Sequence, residues 1–208
     1  PEMFRYTYPE VMTTVRVPTP MMDRVMANFT CVYGMRYEIE SRYGPDVKYL
    51  LENKVPDVGD YKYVNSKPDI GMMKATQPEE AARYLKKIIE FRHANTELLW
   101  RGHYTDSEGF SFKGDGLIAK GFAAGDNFGV LVWNPGDKPA SFKLDVPDAV
   151  LISASDPENG KVETFGDLPA QSVRLLIWKK QEVKKQVKTS RIDFFGYKNC
   201  LRLENADA

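Results

Sequence analysis

The side chains best suited to chemistry in the first forty residues are three glutamates, an arginine and a group of tyrosines. Glu10 stands just past an alternating apolar segment of Met3, Phe4, Tyr6 and Tyr8, and Glu38 and Glu40 stand within a second one made by Met35, Tyr37 and Ile39. Two carboxyl groups brought to one rim can divide proton donation from nucleophilic or basic work. Side chains alternate across a strand, so Glu38, Glu40 and Arg36 share one face, where the guanidinium can clamp a carboxylate or a hydroxyl. The same residues also fit a purely structural Arg36–Glu38 ion pair. Tyr8 and Tyr37, with Tyr6 and Tyr43, offer flat rings to a ligand, and they equally fit a core.

These residues need elements to hold them. Met3 to Tyr8 reads as a strand closed by Pro9 and Glu10. After Pro18 and Pro20, apolar side chains at Met22, Val25, Met26, Phe29 and Val32 recur at helical spacing until Gly34, which predicts a helix over 21–33. A second strand follows at 35–40. Strand, helix and strand in about forty residues make one βαβ unit, and one repeat then separates Glu10 from Glu38, close enough for neighbouring strands to carry both to one rim.

Residues 41–75, with Pro45, Pro56 and Pro68, read as a long irregular excursion. Thr76, Pro78 and Glu79 form a capping signal ahead of Ala81, Leu85, Ile88, Ile89 and Phe91, which predicts a helix over 78–95. From about 103 the apolar period falls to two. Turn signals at Gly125–Asn127, Asn134–Gly136 and Asn159–Gly160 separate strands at 117–123, 128–134, 139–146, 149–154, 161–165 and 172–178, the spacing of an antiparallel sandwich. Residues 179–191 bring six basic side chains against Glu182 and read as a solvated linker, with a further strand from Ile192. The apolar and aromatic surface of 191–208, and a βαβ unit with unlike faces, both ask for partners, so the 208 residues read as an internal piece of a longer polypeptide.

Composition removes several classes of function. Lysine and arginine total 29 against 29 aspartates and glutamates, so no excess of positive charge exists for nucleic acid to bind. No apolar run reaches the ~18 residues of a membrane-spanning helix. His93 and His103 stand apart from Cys31 and Cys200, no metal-ligand spacing occurs, and nothing resembles a phosphate loop or dinucleotide fingerprint. No metal and no cofactor is therefore expected. The two cysteines, far apart in a chain large enough to bury a core, read as reduced thiols. Trp100, Trp133 and Trp178 each end an apolar run and read as core or interface, although exposed tryptophans would make a glycan platform.

Three groups of segments carry a resemblance. Phe4-Arg5-Tyr6-Thr7-Tyr8-Pro9-Glu10, Gly34-Met35-Arg36-Tyr37-Glu38-Ile39-Glu40 and the helix running into Leu98, Leu99, Trp100 and Gly102 resemble the last βα repeats of a bacterial glycoside-hydrolase-like barrel family of unknown function. Leu168-Pro169 leading to Ser172-Val173-Arg174-Leu175-Leu176 is similar to the closing strand of the β-sandwich that often follows such barrels. Gly196-Tyr197-Lys198-Asn199-Cys200-Leu201-Arg202-Leu203 resembles the opening of a galactose-mutarotase-like domain. The resemblance implies an α/β plus all-β chain: the last βα repeats of a (β/α)8-type barrel over 1–102, a small antiparallel β-sandwich over 103–179, a basic linker over 180–191 and the truncated start of a β domain over 192–208.

The implied function is glycan breakdown by a glycoside hydrolase, with a carbohydrate substrate and the main catalytic groups upstream. Such an enzyme uses two carboxyl groups ~5–9.5 Å apart, for which Glu10, Glu38 and Glu40 are the candidates, with Arg36, Tyr8 and Tyr37 binding substrate. The alternative expectation is a noncatalytic carbohydrate-binding or structural sandwich module.

Overall fold

Parallel strands cannot be joined by a tight turn and need a crossover, and the chain makes one early. Strand β1 (Thr14–Pro18) and strand β2 (Arg36–Glu40) run parallel and are joined through helix α2 (Arg24–Val32), with Thr14 opposite Arg36, Arg16 opposite Glu38 and Pro18 opposite Glu40. The computed structural model describes residues 2–8, 11, 13–18, 22–41, 44–54, 77–162, 166–181, 188–194 and 197–204. Asp23 starts α2 by accepting a hydrogen bond from the Met26 amide at 2.8 Å. Gly34 ends it with φ +61°, and a Cβ there would lie 2.9 Å from the Phe122 ring, so both backbone and packing require glycine.

Two expectations for this half are corrected. Met3 to Tyr8 is not a strand: residues Glu2–Thr7 form helix α1, and Phe4 and Tyr8 stand one turn apart with ring centroids 5.4 Å apart. The first strand of the unit is instead Thr14–Pro18, where Val15 and Val17 alternate with Thr14 and Arg16. Within the stretch expected to be irregular, Gly44–Glu52 forms helix α3, seated by buried Asp46 and Tyr49 at i and i+3. Residues 55–76 lie outside the described residues.

Helix α4 (Pro78–Ala94) follows its sequence signal, with Pro78, Glu79 and Glu80 in the first turn and Arg92 and His93 in the last, where each suits the helix dipole. Thr76 lies outside the described residues, and Gln77 occupies the cap without a side-chain bond. Buried Tyr84, Ile88 and Phe91 mark its inner face, and the short α5 (Thr96–Leu99) adds Leu98 and Leu99.

Beyond residue 102 the described chain is antiparallel sheet. Strands β3 (His103–Asp106), β5 (Ile118–Ala124), β6 (Asn127–Asn134), β10 (Ser172–Lys180), β8 (Ala149–Asp156) and β9 (Gly160–Lys161) form one sheet in that order. Strands β4 (Ser111–Lys113) and β7 (Lys143–Asp145) form a separate ribbon. β3 and β4 had no expected counterpart, since His103–Asp106 and Ser111–Lys113 carry few apolar residues. The expected strand at 139–146 shrinks to β7; of that expected at 161–165, Lys161 lies in β9 and residues 163–165 lie outside the described residues. β11 (Lys188–Phe194) and β12 (Tyr197–Glu204) form an antiparallel hairpin, so the strand expected from Ile192 begins at Lys188, inside the expected linker.

The central strands β6 and β10 are apolar almost throughout because the sheet is covered on both faces. On one face Phe122, Leu131, Trp133, Val173 and Leu175 meet Met22, Cys31, Val32, Ile88, Leu98 and Leu99 from the helical side. On the other, Val130, Val132, Leu176 and Trp178 meet Phe112, Phe142 and Leu144 around the ribbon. Polar pins fix the first interface. Buried Asn28 donates to the Gln171 carbonyl at 2.9 Å and accepts from the Tyr84 hydroxyl at 2.6 Å. At the sheet's other side, Lys120 pairs with Asp106 at 2.5 Å and the Tyr6 hydroxyl donates to Glu108, fastening α1 beside β3.

Because one core crosses residue 102, the sheet is not a separable unit in terms of burial. A piece covering 103–181 alone would expose Phe122, Leu131, Trp133, Val173 and Leu175, and is expected to bind more of a hydrophobic dye than the full chain does.

Arg24 donates from both terminal nitrogens to Glu158 at 2.8 and 2.9 Å and lies 3.9 Å over the Tyr84 ring. This hydrogen-bonded pair holds the Glu158 carboxyl below its ordinary value of 4.5, against an opposing push from partial burial. A depressed carboxylate stabilises the fold above its unfolded pKa and loses that contribution as the pH falls through the folded value. Glu158→Gln is therefore expected to cost up to ~1 kcal/mol at pH 7 and almost nothing in strong acid, measured by urea unfolding across that range.

Candidate functional site

On β2 the alternation of side chains separates two environments. Tyr37 faces the helices, where its hydroxyl donates to the Ala27 carbonyl at 2.9 Å and the Arg92 guanidinium lies 5.3 Å from its ring centre. Burial raises its hydroxyl pKa well above the usual phenol value, the neighbouring Cys31 adds to the rise, and Arg92 opposes it. Ile39 belongs to this same face and borders a cleft of about 320 Å³ with Met22, Ser41, Tyr49, Leu50 and Leu85. The cleft is thus apolar and lies behind the strand.

Arg36, Glu38 and Glu40 occupy the opposite face. Parallel register sets Arg16 of β1 directly across from Glu38. Arg16 donates from Nε at 2.7 Å and approaches with Nη2 at 2.5 Å, both to Oε1 of Glu38, and its Nε stands 3.9 Å from Oε2 of Glu40. The ion pair expected between Arg36 and Glu38 is therefore made by Arg16 instead. Arg36 is exposed, and among the described residues no carboxylate lies within 4.0 Å of its guanidinium.

The other candidates are placed apart from this face or outside the described residues. Glu10 lies outside them. Tyr8 follows α1, exposed, with its ring tilted against Phe4 rather than beside β2. Arg16 is the member of the cluster that the sequence reading missed. The signal was present in the alternation Thr14-Val15-Arg16-Val17, and it was hidden by the nearby Pro18 and by the assignment of the first strand to Met3–Tyr8.

The tryptophans do not form a platform. Trp133 and Trp178 are buried on opposite faces of the sheet, and Trp100 lies under the Arg92 guanidinium at 3.7 Å. Cys31 is a buried free thiol whose pKa is pushed up to about 11, chiefly by burial with Arg92 opposing, which makes it inert as a nucleophile. Among the described residues no group of three or more His, Cys, Asp or Glu side chains is arranged to hold a metal ion, and no helix is long and apolar enough to cross a membrane. The chemistry available to the charged face is that of carboxylates with a guanidinium: proton transfer, attack or activation of water, and hydrogen bonding to hydroxyls.

No family model matches the chain, and no curated protein matches it. Among solved structures it is similar to an isomaltulose synthase from Protaminobacter rubrum, with 14% identity, 77% of this chain and 38% of that chain covered, and a TM-score of 0.44. An α-amylase from Geobacillus thermoleovorans gives 13% identity over 78% of this chain and 34% of that chain, with a TM-score of 0.40. A family 30 subfamily 8 xylanase from Clostridium acetobutylicum gives 12% identity over 81% and 42%, with a TM-score of 0.38. The chain thus spans well under half the length of each of these proteins. At such identities and TM-scores, the chemistry of this chain rests on its own residues.

Tyr37→Phe separates the two faces experimentally. Losing the bond to the Ala27 carbonyl is expected to cost ~1 kcal/mol of stability while leaving the Arg16–Glu38 contact on the charged face in place, as read by denaturant unfolding of a double-mutant cycle in which Tyr37→Phe and Glu38→Gln add without coupling.

Proposed function

We propose that this chain carries the closing βα repeats of a glycosidase-type (β/α)8 barrel, with the antiparallel sheet and its covering ribbon as the sandwich that follows it, in a protein that breaks down glycans. The observation that carries the reading is the parallel β1–β2 pair. Its helix side is apolar and covered by α2, and its other face holds Arg16, Glu38 and Glu40 in one hydrogen-bonded group. Parallel strands occur in sheets covered on both faces, and a barrel provides both coverings: helices outside, inward side chains within. In that arrangement the charged face of β2 is the inward one, and Glu40 stands at the strand's C-terminal end, where barrels place their chemistry.

The segments that resemble a glycoside-hydrolase-like barrel family support the same reading, since Gly34 to Glu40 contains the strand that presents the carboxylates. A barrel needs eight strands and β1 and β2 supply two, so the partner carboxyl and most sugar contacts come from other repeats. The β11–β12 hairpin is read as the opening of the next β domain. Glu38 and Glu40 are assigned the acid, base or nucleophile work of glycoside cleavage and Arg36 the binding of a sugar hydroxyl.

The test is the native polypeptide assayed on a panel of 4-nitrophenyl glycosides. Glu38→Gln or Glu40→Gln is expected to lower turnover ~10²–10⁴-fold on whichever glycoside is cleaved. Full turnover in both variants would remove the β2 face from the chemistry.

A further inference from the structure

The contact between Arg16 and Glu38 is lopsided, and that asymmetry sorts the two glutamates. Both the Nε and Nη2 atoms of Arg16 engage a single oxygen, Oε1 of Glu38, while Oε2 of Glu38 has no hydrogen-bond partner among the described residues. Oε2 of Glu40 stands 3.9 Å from Nε of the same arginine. Two carboxylates on one strand face repel each other, and a single guanidinium reaching both fixes their relative positions. A guanidinium is suited to this task because its donors lie in a rigid plane, whereas an ammonium on a flexible stem fixes distance without direction.

The pair across the strands is placed by backbone register rather than by side-chain reach: Arg16 and Glu38 are directly opposite, at the midpoint of both strands. Nothing in the packing of β1 needs a cation there, since Val15 makes the contact with the core and Arg16 points away from it. Its side chain is more than half exposed, so its worth to folding is small.

We propose that Arg16 is a positioning residue: it orients Glu38 so that the free Oε2 is the atom presented to substrate, and it holds Glu40 at a set distance beside it. This role rests on the reading of the β2 face as part of a glycan-cleaving site. It adds to that reading a specific residue and a specific oxygen.

The experiment uses the native polypeptide and the 4-nitrophenyl glycoside it cleaves fastest. Arg16→Met is expected to lower kcat by about 10²-fold, the scale of a misplaced reacting group, with KM changed by less than about threefold and the thermal midpoint nearly unmoved. Arg16→Lys is expected to recover part of kcat, because an ammonium restores charge and one contact but not the planar pair of donors. A merely structural arginine would instead shift the midpoint and leave kcat of the folded fraction intact. If Glu38→Gln abolishes turnover while Arg16→Met retains it, the positioning role is overturned and the site reading stands. If Glu38→Gln and Glu40→Gln both retain turnover, or the native protein cleaves none of the glycosides, the site reading falls and the role of Arg16 falls with it.

Discussion

One antiparallel sheet in this chain must be buried on both faces, and its two coverings dictate where everything else can go. β6 runs Gly-Val-Leu-Val-Trp and β10 runs Val-Arg-Leu-Leu-Ile-Trp, with scarcely a polar position for water to reach. Alternating strands can leave one face in solvent, but these cannot. The ribbon of β4 and β7 covers one face with Phe112 and Leu144, and α2, α4 and α5 cover the other. The helices therefore stand on the sheet as a floor, and the position of α2 on that floor sets where the β1–β2 pair can lie.

From that placement the polarity of the charged face follows. α2 buries Cys31 and Val32 against the sheet and receives the Tyr37 hydroxyl on its Ala27 carbonyl, so odd positions of β2 turn toward the helices. Even positions are then turned away from the helices, and Arg36, Glu38 and Glu40 are charged because nothing apolar waits for them there. The carboxylates and the apolar cleft beside Ile39 cannot share a site, since the strand itself stands between them.

Much of this was legible in the sequence wherever pattern and local chemistry agreed. Helix α4 was visible because Pro78, two acidic residues and a 3.6-residue apolar period coincide, and β5, β6, β8 and β10 because turn residues bracket them. The unit of strand, helix and strand was legible in type but not in register. Met3, Phe4, Tyr6 and Tyr8 satisfy a two-residue period in part, yet Phe4 and Tyr8 also satisfy the helical spacing of four, and the segment folds by the second. α3 was missed because its buried side chains are Asp46 and Tyr49 while Val47, Leu50 and Leu51 remain exposed, an inversion no hydropathy pattern reveals. Of the candidate site, Glu38, Glu40 and Arg36 were legible as one face, because alternation alone dictates it. Arg16 was not, because cross-strand partnership depends on register, which a five-residue strand ending in a proline does not specify.

The start of β2 shows how far from the charged face its geometry is fixed. Arg92 is fully buried, and among the described residues no carboxylate pairs with it. Its Nη1 donates to the Met35 carbonyl at 2.6 Å and its Nη2 reaches the Leu99 carbonyl at 3.4 Å, while its plane covers Trp100 at 3.7 Å. A buried guanidinium without a counter-ion is costly unless carbonyls and ring faces replace the lost water, and here they come from two places the chain must bring together. Met35 is the residue immediately before β2, and Leu99 closes α5. The contact therefore ties the residue leading into the strand to the end of the helical layer, and the register that sets Arg16 across from Glu38 is anchored from behind. Charge at the front of β2 and charge at its base thus act on the same strand, one presenting carboxylates and the other deciding where they stand.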